Sequence, residues 1–213
     1  MKDKTNSLLL IVSIVCLPFF SNGQSEKLRF GFKISPQAAW LKSDTKGLES
    51  DGMKLLFAYG VMADYNFAEN YTIATGLDIN YRGGKLKSTI DSTTAKASYN
   101  IQYIEVPVAI KLKTNEVGYM RFFGQLGFTP GYVIKARTDI DVAGVKEEDK
   151  SIIKDVTRFN ISLQFTAGME YNISGKTNLY SAIFYNNGFI DLFEDKNFKA
   201  VPNNIGLQLG VFF

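Results

Sequence analysis

The sequence predicts an all-β fold, an eight-stranded antiparallel up-and-down transmembrane β-barrel. Three observations predict it. Apolar residues alternate with small or polar ones at period two along most of the chain, and no helical period of comparable length appears. The connections alternate between short and long, as an even-numbered meander requires. The face opposite the apolar one carries charges interleaved with glycine, which suits a lumen better than a solvated surface.

The elements follow in chain order. Met1 to Lys4 carries two lysines, Leu8 to Phe20 is a run of thirteen mostly apolar residues, and Ser21-Asn22-Gly23 is a small-x-small site. That is the layout of a secretory signal, too short to span a bilayer as a helix. Residues 1–23 are therefore read as a cleaved signal peptide and 24–213 as the barrel domain. Cys16 belongs to the apolar run. The first strand runs from Phe30 to Trp40. In the second, Leu55, Phe57, Tyr59, Val61, Tyr65 and Phe67 alternate with Ala58, Gly60, Met62, Asp64 and Asn66. In the third, Tyr71, Ile73, Leu77, Ile79 and Tyr81 alternate with Thr72, Gly76, Asp78, Asn80 and Arg82. The fourth sets Ile104, Val106, Val108, Ile110 and Leu112 against Tyr103, Glu105, Pro107, Ala109 and Lys111. Pro107 removes a ladder hydrogen bond and predicts a bulge or bend. Tyr119 to Tyr132 is the fifth strand, and Phe159 to Tyr171 the sixth, with Asn160, Ser162, Gln164, Thr166, Gly168 and Glu170 on one face. Leu179 to Phe189 and Ile205 to Phe213 complete the set. Short turns at Ala68 to Asn70, Asn115 to Gly118 and Gly175 to Thr177 share one end with both termini. Longer polar loops at Lys42 to Met53, Gly83 to Ser98, Thr138 to Asp155 and Asn187 to Ala200 share the other.

Composition removes most enzyme chemistry. The chain has no His and one Cys, so a Ser-His-Asp triad, a Cys-His dyad, a His-ligated metal and an intrachain disulfide are all excluded. Lys and Arg number 24 against 21 Asp and Glu, a balance too even to suggest a nucleic-acid partner. No catalytic, cofactor-binding or metal site is marked. The acidic stretch Asp139 to Lys150 lacks the spacing of a Ca²⁺ loop and reads as solvated. Gly83-Gly84 reads as a turn or bulge device, since no phosphate-binding frame surrounds it.

The orientation of the two faces decides between a membrane barrel and a soluble lipocalin-like carrier, which would have the apolar face inside. The polar face, predicted to line the interior, carries Asp64, Asp78, Arg82, Glu105, Lys111, Arg121, Gln125, Gln164 and Glu170. Eight strands leave room only for side chains to fill the interior. Glu105, Lys111, Arg121 and Glu170 are therefore expected to join in a charge-paired plug, with a solvated lumen as the looser alternative. On the apolar face, Phe67, Tyr71, Tyr171, Tyr180 and Phe213 are placed at the short-turn end. Trp40, Phe57, Tyr81, Phe128 and Phe159 are placed at the long-loop end. Two rings of aromatics match interfacial girdles.

The terminal Phe213, preceded by Val211 and Leu209, resembles the C-terminal signature by which the outer-membrane assembly machinery recognises its clients. The segments Tyr81 to Lys85, Tyr103 to Lys111 and Gly124 to Tyr132 resemble the PorT-like outer-membrane β-barrel family. The resemblance covers about Leu28 to Phe213 and implies an outer-membrane location. It also implies partners in outer-membrane lipid and in the assembly machinery. The founding type's link to protein secretion makes a secretion accessory one expected role. The other is a non-enzymatic structural or interaction module whose long extracellular loops meet a protein partner. Phe189 to Glu194, mixed apolar and acidic, reads either as such a contact or as an extension of its hairpin.

Overall fold

The computed structural model describes residues 27–43, 45, 47–90, 93–142, 145–195 and 198–213, so the predicted signal peptide lies outside the described residues. Eleven strands form one sheet: β1 (Leu28–Ser43), β2 (Leu48–Ser50), β3 (Lys54–Ala68), β4 (Tyr71–Ile90), β5 (Thr93–Glu105), β6 (Val108–Lys113), β7 (Met120–Val142), β8 (Val145–Ser151), β9 (Phe159–Ser174), β10 (Thr177–Gly188) and β11 (Ala200–Phe212). All pairings are antiparallel. β1 pairs β3 on one side and β11 on the other, so the sheet closes on itself. β5 and β6 are one barrel strand interrupted at Pro107. Both pair β4 and β7, and Val106 N–H donates to Pro130 O at 3.0 Å across the break. The ring is therefore eight-stranded. β2 and β8 are additions outside it, each hydrogen-bonded to one neighbour, β4 and β7 respectively.

Alternation fixes which face is which. In β1 Phe32 and Ile34 are about 60% exposed while Lys33 and Ser35 are buried. Leu55, Phe57, Tyr59, Val61, Tyr65 and Phe67 of β3 all face outward. The apolar face is outside and the polar face inside, the reverse of a soluble carrier. A continuous apolar belt of this kind is stable only against lipid. Its height fits a membrane. From Phe57 to Phe67, β3 rises about 33 Å at about 3.3 Å per residue. At a tilt of about 40° that gives an apolar band of about 25 Å.

Aromatic side chains pair at both rims. Phe67–Tyr71, Tyr119–Tyr171 and Phe32–Phe213 meet at 6.0, 6.3 and 5.7 Å near the short-turn end. Trp40–Tyr185, Phe57–Tyr81 and Phe128–Phe189 meet at 6.2, 4.7 and 6.4 Å near the other. Tyr180 is a correction to the predicted girdle. It points inward and is 4% exposed, because in β10 Leu179, Ile183 and Tyr185 take the lipid face and both parities are apolar.

The long connections also differ from the expectation. Gly83 to Ser98 is not a loop: β4 and β5 stay paired out to Ile90 and Thr93. Thr138 to Ser151 is mostly the β7–β8 hairpin. A membrane strand needs about 9–11 residues, so the 20 residues of β4 and the 23 of β7 project well beyond the bilayer. Gly84 is placed by close approach rather than by a turn. A Cβ there would lie 2.6 Å from the backbone nitrogen of Leu41, where β1 and β4 touch above the start of β3.

Candidate functional site: the filled lumen

Inward residues stack in three levels. At the short-turn level Arg29 of β1, Asp64 of β3, Lys111 and Lys113 of β6 and Glu170 of β9 converge. Arg29 Nη2 donates to Asp64 Oδ2 at 3.2 Å and to Glu170 Oε2 at 2.7 Å. Lys111 Nζ donates to Asp64 Oδ2 at 2.8 Å and also to Glu170. The ammonium sits 4.5, 5.2 and 5.0 Å from the ring centres of Phe123, Tyr180 and Phe212. These rings pack on each other, with Phe123–Tyr180 at 5.1 Å and Tyr180–Phe212 at 5.8 Å. The arrangement answers a steric need. An eight-stranded lumen must be filled, and a lysine can be buried only where carboxylates and π-faces replace its water.

The middle level is held by paired ions and amides. Lys33 Nζ and Asp78 Oδ2 are 2.8 Å apart. Gln37 donates to Asn80 Oδ1 at 2.6 Å, and Asn80 donates to Glu105 Oε2 at 2.8 Å. Arg82 Nε lies 2.8 Å from Glu105 Oε1 without its N–H directed at that oxygen, an ion pair rather than an aligned hydrogen bond. Arg82 Nη1 donates to Ser162 Oγ at 3.0 Å, and Thr129 donates to Gln164 at 2.9 Å. A void of only 20 Å³ beside Lys33, Asp64, Lys111 and Gln125 separates this level from the first.

The third level is apolar. Leu41, Leu86, Ile101, Tyr103, Val133 and Ala136 point inward above Arg82, and the connections fold onto them. Ile152 and Val156 come from the stretch after β8. Leu192 comes from the segment before β11 and is 1% exposed. Thr157 N–H donates to Leu192 O at 2.8 Å, and Leu192 N–H to Ala200 O at 2.8 Å. Phe189 to Glu194 therefore does not stand above its hairpin: its centre closes the barrel mouth.

Of the sequence-predicted interior residues, Asp64, Lys111 and Glu170 meet in the first level, and Asp78, Arg82, Glu105 and Gln164 lie in the second. Gln125 is half-buried between them. Arg121 does not join Lys111, Glu105 and Glu170 in one network. It is exposed at the short-turn mouth, 3.0 Å from Glu116, because its inward parity falls beyond the last filled layer. Glu105 also belongs to a different level from Lys111 and Glu170. Sequence reasoning missed Arg29, Lys33, Gln37 and Lys113. Their signal was parity: the inward odd positions of β1 begin at Arg29, before the predicted strand, and Lys113 lies two residues beyond Lys111. Leu209, Val211 and Phe213 of the C-terminal segment face outward. Among the described residues, no group of three or more acidic or Cys side chains is placed to hold a metal.

A closed apolar belt around an interior packed with charges and capped with apolar side chains defines an integral outer-membrane barrel. The chain belongs to the outer membrane protein beta-barrel domain family, whose model matches residues 20–194. Among solved structures it is similar to Neisserial surface protein A, at 15% identity and a TM-score of 0.49 over 86% of this chain and 95% of that one. It is similar to Ail, the attachment invasion locus protein of Yersinia pestis, at 15% identity and a TM-score of 0.40 over 87% and 98%. OprG from Pseudomonas aeruginosa is similar at 12% identity and a TM-score of 0.46 over 87% and 94%. At these identities the likeness concerns the fold. No curated protein matches the chain in sequence.

Proposed function

We propose that the protein is a non-enzymatic interaction module of the outer membrane. Its barrel serves as a rigid anchor, and its projecting hairpins serve as the contact surface for a protein partner. One observation carries this reading: the lumen is filled by ion pairs, amides and an apolar cap, while β4–β5 and β7–β8 extend far past the apolar belt. With the lumen filled among the described residues, the projecting hairpins offer the surface for a partner. Function residing in segments held on a rigid scaffold is the usual arrangement.

Purified protein in planar bilayers is expected to give no steady single-channel conductance, and a steady conductance would overturn the reading. The PorT-like resemblance supplies a second reading, an accessory of protein secretion. Deleting the gene and following export of surface proteins separates the two. Unchanged export favours the interaction module; lost export, restored by the full chain, favours the accessory. The signal peptide over residues 1–23 and recognition of Leu209, Val211 and Phe213 by the assembly machinery are part of the same proposal.

A further inference from the structure

The short-turn mouth opens into a basin of 660 Å³, lined by residues that include Lys27, Arg29, Lys113, Arg121, Glu116 and Glu170. In outer-membrane barrels this end faces the periplasm. Rim and floor differ in charge. On the rim Arg121 pairs with Glu116, and Lys27 is matched in number by Glu69. The floor is unbalanced: the buried cations Arg29, Lys111 and Lys113 face two buried carboxylates, Asp64 and Glu170.

The excess falls on particular atoms. Lys111 reaches both carboxylates and three rings. Lys113 is 8% exposed, yet its nearest carboxylate contact is Asp64 Oδ2 at 3.6 Å, an oxygen already used by Arg29 and Lys111. Its other contact is the neutral Asn66 Oδ1 at 3.0 Å. Arg29 Nε is buried and donates to no protein group among the described residues. Both residues line the same open basin. A buried cation lacking its own counter-charge is strongly unfavourable, and an anion entering the basin would relieve it.

We propose that the basin binds a carboxylate monoanion between Lys113 and Arg29, with Lys27 and Arg121 attracting it from the rim. The single excess charge sets the valence. Glu170, itself part of the lining, opposes a second negative charge and so disfavours a phosphate dianion. The planar guanidinium suits a planar carboxylate. The volume lies within the range of small-molecule pockets and leaves room for whatever carries the carboxylate. That carrier is either a free small acid or the C-terminus of a periplasmic peptide.

The test uses the full mature chain in detergent micelles at constant ionic strength. Sodium chloride is replaced stepwise by sodium acetate or by the sodium salt of acetyl-trialanine, while acetyl-trialanine amide is added at fixed sodium chloride. Acetate and the peptide acid are expected to raise Tm saturably by several degrees, and the amide to leave it unchanged. A larger rise with the peptide acid assigns the carboxylate to a peptide end, and an equal rise assigns it to a free acid. The rise is lost in Lys113→Met and retained in Lys54→Met, at the opposite end of the barrel. Should Lys113→Met fail to fold, acetate titration of the wild-type protein by NMR replaces it, with saturable amide shifts expected at Arg29, Asn66 and Lys113. An equal rise with the amide, no rise at all, a rise surviving Lys113→Met, or shifts spread over the surface would overturn the proposal.

Discussion

At the scale of single residues, burial decides which charges matter. Glu170 and Arg121 face each other across β9 and β7 in the same register pair, and the alternation treats them alike. Glu170 accepts from both Arg29 and Lys111 with almost no exposure, while Arg121 keeps nearly half its side chain in water beside Glu116. Removing one member of a buried pair leaves its partners uncompensated and typically costs about 3–5 kcal/mol, whereas an exposed pair contributes about 0–1 kcal/mol. Glu170→Gln is therefore expected to lower unfolding stability by about 3 kcal/mol in urea titrations of the micelle-held protein. Arg121→Ala should stay within about 0.5 kcal/mol of wild type in the same titration. Adding Lys111→Met to Glu170→Gln should recover part of the loss, because the double variant removes the stranded cation as well. Additive losses would show that the two residues do not act as a pair.

At the scale of elements, the sequence was legible where one face is apolar and the other polar, and illegible where both faces share one character. β3 and β9 could be read residue by residue because Leu55 to Phe67 and Phe159 to Tyr171 alternate without a break. β7 could not be followed past Tyr132. Its pairing with β5 slips between Gln102 and Tyr103, leaving Ile134 as the extra residue, so inward parity moves from Val133 to Ala136 and Thr138. The upper lumen is apolar too, so Leu41, Leu86 and Val133 look no different from lipid-facing residues in the sequence. That is why four polar connections were expected where two long hairpins and an apolar cap form. The interior residues were legible as a face but not as levels, because levels depend on strand stagger. Gly84 tests this account of the upper barrel. Its missing side chain lets β1 and β4 approach where β3 has not yet begun. Gly84→Val pushes a side chain into the Leu41 backbone and should reduce the folded, fast-migrating fraction on unboiled gels. Lys85→Val, which adds no such clash on an exposed neighbour, should leave that fraction near wild type.

At the scale of the whole molecule, two solvents shape one chain: lipid selects the outer face, and the narrow lumen selects the inner one. The high aromatic content acquires a structural meaning in this arrangement. Aromatics pair along both rims, and three others, Phe123, Tyr180 and Phe212, are turned inward to bury a lysine. The closing strand joins both roles. In β11, Phe212 packs under Arg29 and Lys111 while Val211 and Leu209 face out. Phe213 lies just past its end, with its N–H donating to Phe30 O at 2.9 Å and its ring 5.7 Å from Phe32. These contacts stabilise the seam between first and last strands. Losing this ring pair and this hydrogen bond should cost about 1–2 kcal/mol. A role for Phe213 in recognition by the assembly machinery demands much more than that. Deleting Phe213 is thus expected to leave refolding into detergent nearly intact while sharply reducing the folded outer-membrane pool in cells at unchanged expression. Equal losses in both settings would assign Phe213 to the stability of the seam alone, and normal insertion in cells would remove its part in assembly.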